Sequence, residues 1–293
     1  MNSIIIALIV LGALGLLFGI IIYVVGVSFR VIEDPLIDEI AELLPGANCG
    51  GCGQAGCRAF AEALVKTKSF DGLNCPPGGN DLVAKIAPLL GLEPVEKDPE
   101  IAVVRCNGTF VNAPAKIKYD GPATCTFAHN LFSGESGCPH SCLGLGDCVV
   151  SCAFDAMYMD KETGLPVIIE DNCVACGACV KACPRSIIEL RLKGKKSRRI
   201  YVCCVNKEKG AVARKNCAVA CIGCGKCVKV CAYDAITLEN NLAYIDSEKC
   251  KLCRKCVAEC PTGAIIELNF PPRKQTAVAE TAEGGEEVKS SEA

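Results

Sequence analysis

The residues from Ile4 to Val27 form an apolar run 24 positions long, and no charged side chain occurs between Met1 and Phe29. Wound as a helix, the run is about 36 Å long and exceeds a hydrocarbon core of roughly 30 Å. The pattern therefore predicts one membrane-spanning helix. A cleaved signal peptide fits less well, because a basic n-region is missing, the run is too long and no small-x-small site follows it. Arg30 is the only nearby cation, and Glu33 and Asp34 come after it, so flanking charge orients the helix only weakly.

After the anchor the pattern turns amphipathic. Asp34-Pro35 reads as N-cap and first helical residue, Ile37, Ile40, Leu43 and Leu44 fall on one face, and Pro45-Gly46 ends the helix. Further helices are expected over Arg58 to Lys68 and Asp81 to Leu90, with a linker from Gly91 to Glu100. The pattern then shifts to β, with short strands expected at Ile101–Arg105, Phe110–Val111 and Lys116–Tyr119. Between Cys138 and Phe270 one plan of cysteine run, short helix and strand or turn occurs four times. It shows in Ala153-Phe-Asp-Ala-Met157, Pro184-Arg-Ser-Ile-Ile188, Ala232-Tyr-Asp-Ala-Ile236 and Pro261-Thr-Gly-Ala-Ile265.

Within this repeat the spacing C-x2-C-x2-C-x3-C-P, at Cys173–Cys183 and Cys250–Cys260, is that of iron-sulfur loops, so the expected fold class is α+β: a single N-terminal transmembrane helix, a small helical iron-sulfur domain, then two tandem two-cluster bacterial-ferredoxin-like modules. The expected boundaries are 1–29 for the anchor, 30–91 for the juxtamembrane helix and 4Fe-4S domain, and 92–137 for a linker and β segment. The modules follow at 138–190 and 217–270, separated by a basic segment at 191–216. Residues 271–293, almost without apolar content, are expected to be disordered.

Composition changes the picture in one respect. The 293 residues include 25 cysteines but no Trp and only 5% aromatics, so conventional cores are thin and bound metal must supply folding free energy. Disulfide scaffolds seldom repeat C-x2-C spacings, which match metal chelation and a reducing, cytosolic compartment. The formal net charge of -2 carries little information.

The spacing of the cysteines carries the chemistry. Cys173-x2-Cys176-x2-Cys179-x3-Cys183-Pro and Cys250-x2-Cys253-x2-Cys256-x3-Cys260-Pro place three thiolates on a tight loop around one cubane iron-sulfur cluster and send the fourth to the neighbouring cube. This crossed pattern assigns Cys221, Cys224, Cys227 and Cys260 to one cube and Cys250, Cys253, Cys256 and Cys231 to another. Cys173, Cys176, Cys179 and Cys152 form a third. Their partner takes Cys138, Cys142, Cys148 and Cys183, although its loop, Cys138-x3-Cys142-x5-Cys148, is longer than usual. Cys49, Cys52, Cys57 and Cys75 give a compact fifth unit. Of the five cysteines left over, Cys106, Cys125, Cys217 and either Cys203 or Cys204 could complete a sixth site; the alternative is buried free thiols. Zinc would explain separated pairs but not C-x2-C-x2-C-x3-C-P. The two histidines, His129 and His140, are expected to hydrogen-bond rather than ligate.

From Arg191 to Lys215 there are ten Lys or Arg against one acid, Glu208. Such a lobe either steers an acidic electron donor or is a solvated hairpin whose charge offsets cluster charge or faces anionic lipid; nucleic-acid binding is disfavoured because stacking aromatics are missing apart from Tyr201. No dinucleotide fingerprint, P-loop or catalytic triad is found, and full cysteine ligation leaves no iron open to substrate, so no catalytic residue is expected.

The order of parts resembles the B-subunit of the Rnf complex, the ion-translocating ferredoxin:NAD oxidoreductase, over nearly the whole chain to Phe270. The most specific element is Asn48-Cys-Gly-Gly-Cys-Gly with its distant Cys75-Pro. The resemblance implies an electron-relay subunit that takes electrons from reduced ferredoxin and passes them through 4Fe-4S clusters to membrane subunits, with Na+ or H+ export. It implies the other Rnf subunits and the membrane as partners; the missing aromatics argue for no nucleic acid, and reduced thiolates put the bulk of the chain on the cytoplasmic side. A membrane-anchored polyferredoxin serving a hydrogenase or another dehydrogenase would share the tandem runs but need not have the Cys49–Cys75 unit, and a structural zinc protein would lack the Pro residues after Cys183 and Cys260.

Overall fold

A computed structural model describes residues 2–29, 34–131 and 134–272. The charges expected to flank the anchor at Arg30 and Glu33, and the disorder expected of the tail from residue 273 on, lie outside the described residues. Helix α1 (Asn2–Ser28) is the apolar run, and its side chains from Ile4 to Val27 are exposed throughout. Among the described residues it is the one helix long and apolar enough to cross a membrane.

The chain forms two compact units, one comprising Met1–Lys97, Cys148–Met157 and Ile168–Ala182, the other Asp98–Asp147, Tyr158–Val167 and the chain from Cys183 on. In the first, α2 (Pro35–Leu43) begins as its sequence dictates. Pro35 opens the first turn, and the Asp34 carboxylate accepts a hydrogen bond from Leu36 N–H at 3.0 Å. Its apolar face, Ile40 and Leu44, packs with Phe60, Ala61 and Leu64 of α3 (Cys57–Thr67) and with Leu82 and Ile86 of α4 (Gly79–Leu90). Fully burying each Ile, Leu or Phe contributes about 1.5–3 kcal/mol, so this core is small but real.

The strands among the described residues are β1 (Glu100–Val104), β2 (Met157–Met159), β3 (Pro166–Ile168), β4 (Ile188–Leu192), β5 (Arg199–Val202), β6 (Ile236–Glu239), β7 (Leu242–Ile245) and β8 (Ile265–Leu268). They form four two-stranded sheets: β1–β4, β2–β3, β5–β8 and β6–β7. Antiparallel register sets Ala102 opposite Leu190 in the β1–β4 pair and Tyr201 opposite Ile266 in the β5–β8 pair. Each outer pair thus encloses, in chain order, two cysteine runs with a hairpin between them. The internal repeat of the sequence is this plan executed twice. Helices α5 (Cys125–Leu131) and α6 (Gly210–Asn216) lie outside it.

The expected strand at Ile101–Arg105 is β1, shifted by one residue. Phe110–Val111 and Lys116–Tyr119 are not strands. Asn112 N–H donates to Thr109 Oγ1 at 3.2 Å and Asn112 Nδ2 to Asn107 O at 2.8 Å, which closes a turn over Phe110 and Val111. Further along, pairing is confined to one isolated bridge, Ala115 to Ser136.

Cysteine supplies much of the second unit's core: five of the fifteen buried residues of its main cluster are Cys138, Cys204, Cys217, Cys227 and Cys256. A charged cluster joins the sheets. Arg105 donates to Glu189 at 3.1 Å and to the carbonyls of Val202 and Cys204, while Arg191 donates to Glu189 and to Ile245 O, both at 2.5 Å. Both guanidinium groups also lie about 5 Å from the centre of the Tyr244 ring. Arg191 is 3% exposed and Arg199 4%, so the segment expected to be one solvated basic lobe turns two of its cations inward. Lys195, Lys196, Lys207, Lys209, Arg214 and Lys215 remain exposed.

Candidate iron-sulfur sites

Three loops carry three cysteines each, and their backbones agree residue by residue. The second and fourth residues after the first cysteine are left-handed in every loop: Ala175 (φ 54°) and Gly177 (φ 76°), Gly223 (φ 65°) and Gly225 (φ 71°), Leu252 (φ 56°) and Arg254 (φ 67°). For Ala, Leu and Arg this conformation costs roughly 1–2 kcal/mol per residue, strain that persists only where something repays it. Backbone of this kind turns N–H groups inward and makes a concavity for an anion. The N–H groups of Leu252, Gly223 and Ala178 accordingly lie beside the thiols of Cys250, Cys221 and Cys176. The third residue after each closing cysteine is also left-handed, at Asp155, Ser186, Asp234 and Gly263.

These loops bring the cysteines together as follows. Cys49, Cys52, Cys57 and Cys75 line one recess with Leu44, Phe60 and Pro76. Asn48 Oδ1 accepts from Cys57 N–H at 2.8 Å and so fixes the start of α3. Cys179 faces Cys173, Cys176 and Cys152, and burial pushes its thiol up to about 11. Cys221, Cys224, Cys227 and Cys260 line a second recess with Leu238, Pro261 and Ile265. Cys250 faces Cys253 and Cys231, and Cys256 faces Cys250 and Cys253, its thiol pushed up to about 12 by burial.

Cysteines outside these groups also have definite places. Cys142 N–H donates to Cys106 Sγ at 3.4 Å, and Cys106, raised to about 12 by burial, faces Cys142 and Cys138. Cys217 faces Cys138 and Cys204. Cys125 faces Cys183. Cys203 donates its S–H to Val104 O at 3.4 Å. Cys148 belongs to the first unit. His129 is exposed and His140 half-buried.

Two residues escaped the sequence reading. Asn206, 1% exposed, points its amide nitrogen at Cys138 Sγ at 3.6 Å, and Arg185 faces Cys138, Cys142, Cys106 and Cys125 while donating to Ser141 O at 2.6 Å. Neither stands in a recognisable motif; Arg185 could have been suspected only from its place after Cys183-Pro184.

Among the described residues no three Cys, His, Asp or Glu side chains converge closely enough to share one metal ion. A single zinc would draw its thiolates to about 2.3 Å from one centre, whereas a cubane gives each thiolate a separate iron and keeps them apart. The recesses, each walled by four cysteines and apolar side chains and, in the loops, strained to aim N–H groups at sulfur, fit the larger group.

Comparison with known proteins agrees. Residues 44–77 match an Fe-S cluster domain family, and residues 140–187 and 220–264 match the 4Fe-4S dicluster domain. The B-subunit of the Na(+)-translocating ferredoxin:NAD(+) oxidoreductase complex of Acetobacterium woodii is 42% identical over 90% of this chain and 78% of its own. The proton-translocating counterpart of Clostridium ljungdahlii is 42% identical over 90% of this chain and 93% of its own. The B-subunit of the ion-translocating oxidoreductase complex of Methanosarcina acetivorans is 41% identical over 90% and 99%. With cysteine recesses, repeated loops, a long apolar N-terminal helix and this degree of identity, the chain belongs to the B-subunit family of the ion-translocating ferredoxin:NAD(+) oxidoreductase, or Rnf, complexes.

Proposed function

We propose that this chain is the electron-transfer subunit of such a complex, accepting electrons from reduced ferredoxin and relaying them to redox subunits in the membrane. The observation that carries the reading is the crossed recess in which Cys260 joins Cys221, Cys224 and Cys227. A cubane cluster held by four thiolates supplies a reversible one-electron centre. Four ligand sets follow: Cys49, Cys52, Cys57 and Cys75; Cys173, Cys176, Cys179 and Cys152; Cys221, Cys224, Cys227 and Cys260; and Cys250, Cys253, Cys256 and Cys231. A fifth set takes Cys142, Cys148 and Cys183 with one further cysteine, Cys138 in the sequence reading. The chain's own contribution is to hold the thiolates apart, to offset their charge with N–H donors, and to wall them with apolar side chains.

Two of these sites adjoin. The Cys176 thiol faces Cys49, and a Cβ built on Gly51 would stand 2.8 Å from Cys176 O. Only glycine permits that approach. Gly51→Val is expected to force the loops apart at about 1–3 kcal/mol of overpacking strain, leaving iron content intact while slowing electron transfer between the two sites. Freeze-quenched spectra of the reduced clusters measure the rate; an unchanged rate would show that the pair is not a step of the relay. Leu44, which ends the helix after the anchor, lines the Cys49–Cys75 recess, so this site is the natural exit toward the membrane. The reducing conditions that thiolates require support a cytoplasmic location for the bulk of the chain.

The entry is assigned to the Cys250–Cys256 loop. Cys253 is exposed, with exposed Lys251 and Lys255 on the same loop, and Gly194, which precedes exposed Lys195 and Lys196, lies against Leu252. A basic rim around an exposed ligand suits an acidic donor. Lys195→Glu with Lys196→Glu is expected to slow ferredoxin-dependent reduction at low salt by about tenfold or more and to flatten its salt dependence. Unchanged kinetics across ionic strength would rule out this docking face.

A further inference from the structure

The loop before Cys148 has the ordinary length. Left-handed backbone occurs at Gly144 (φ 74°) and Gly146 (φ 83°), four and two residues before Cys148. The same offsets separate Ala175 and Gly177 from Cys179, Gly223 and Gly225 from Cys227, and Leu252 and Arg254 from Cys256. In this register Cys142 is the first cysteine of the loop, Cys148 the third, and Leu145 stands where Cys176, Cys224 and Cys253 stand in the others. The loop is therefore one ligand short, and Cys138 lies outside it.

A substitute is held in place over the gap. The Asp147 carboxylate accepts from Cys125 N–H at 2.8 Å and from Thr126 N–H at 3.1 Å, which seats α5 on the loop. The Cys125 sulfur lies beside the N–H groups of Leu145 and Asp147 and faces Cys183, the loop's expected crossed ligand.

Cys138 has other company. Its sulfur receives the Nδ2 of Asn206, a side chain 1% exposed that also donates to Glu208 Oε2 at 3.2 Å. Cys138, Cys204 and Cys217 pack in one buried cluster, and Cys106 faces Cys138 while accepting from Gly108 N–H and Cys142 N–H, both at 3.4 Å. The Cys204 sulfur lies beside the N–H groups of Cys221 and Asn206, and that of Cys217 beside Val219 N–H. All four sulfurs thus lie beside N–H groups, with hydrogen bonds donated to those of Cys106 and Cys138, and such surroundings suit a deprotonated sulfur. Adjacent Cys203 also faces Cys106, Cys204 and Cys217, but its S–H is turned away to donate to Val104 O at 3.4 Å.

We infer that Cys125 replaces the missing second ligand of the Cys142–Cys148 loop, and that Cys106, Cys138, Cys204 and Cys217 hold a sixth 4Fe-4S cluster, with Cys203 left as a free core thiol. The assignment rests on the electron-carrier reading above and differs from the sequence expectation by exchanging Cys125 with Cys138 and choosing Cys204 over Cys203. It uses 24 of the 25 cysteines. Arg185, facing Cys106, Cys125, Cys138 and Cys142, then supplies positive charge to the thiolates of both sites.

Iron and acid-labile sulfide, with spin quantification of the reduced clusters, test this in the anaerobically purified full chain. Cys204→Ala is expected to lose about four irons and one cluster signal, Cys203→Ala to lose none, and Cys138→Ala combined with Cys204→Ala to lose no more than Cys204→Ala alone. Cys125→Ala is expected to lose about four irons, and Leu145→Cys in that background to restore them. Iron loss from Cys203→Ala with retention in Cys204→Ala would overturn the sixth site. Failure of Leu145→Cys to restore iron would overturn the substitution by Cys125. Wild-type protein without iron would instead remove the underlying reading.

Discussion

Replacing Cys260 by alanine is expected to remove about four irons per chain, and the cluster lost is that of the Cys221–Cys227 loop rather than that of the loop Cys260 follows in sequence. The reason is geometric. Pro261 ends the run after Cys260, and the side chain enters the recess lined by Cys221, Cys224 and Cys227, while Cys231 is turned to Cys250 and Cys253. Double variants separate the alternatives. Cys260→Ala with Cys224→Ala is expected to lose no more iron than either alone, because both ligate one cube; Cys260→Ala with Cys253→Ala is expected to lose about eight, because they ligate two. Iron analysis with cluster spectra reads the outcome, and the reverse pattern would mean that the ligands are not crossed.

Removing iron and sulfide with an oxidant and chelator is expected to unfold most of the second unit. Its main core is one-third cysteine, and its sheets have only two strands each, too few to be stable by themselves. Metal ligation in small domains contributes on the order of 10 kcal/mol per site, comparable with the whole stability of an ordinary domain, about 5–15 kcal/mol. Far-ultraviolet circular dichroism and amide exchange should report loss of β structure, with α2, α3 and α4 retained longer through Ile40, Leu64 and Ile86. Any residual metal-free fold should weaken further in alkali. Burial raises Cys106 and Cys256 from 9.0 to about 12, so between those values the unfolded chain ionises while the folded one resists, and stability falls as pH rises. A metal-free protein with unchanged circular dichroism would contradict this view of the core.

Much of this was legible in the sequence because the chemistry demands fixed spacing. Three thiolates on one loop need C-x2-C-x2-C, so the Cys173, Cys221 and Cys250 loops, and the repeat around them, stand out as text. Helices α1 and α2 were legible through a solid apolar run and the Asp34-Pro35 cap. Illegible parts depend on contacts between distant segments. Phe110–Val111 has strand-like residues but no strand to pair with among the described residues. Arg191 and Arg199 read as solvent-facing charge, and only the fold reveals Glu189, Tyr244 and backbone carbonyls around Arg191. The loop at Cys142 looked long because Leu145 stands where the other loops have their second cysteine; that register lies in the backbone angles of Gly144 and Gly146, which cysteine spacing alone does not contain.

The central claim, that thiolate loops hold a series of cubane clusters for electron relay, is tested most directly by metal and sulfide analysis of the anaerobically purified full chain with electron paramagnetic resonance before and after dithionite. The expected result is a brown protein with about 20 to 24 irons and matching sulfide per chain and strong signals from reduced, interacting clusters. A colourless protein, rich in zinc or metal-free and silent after dithionite, would contradict it.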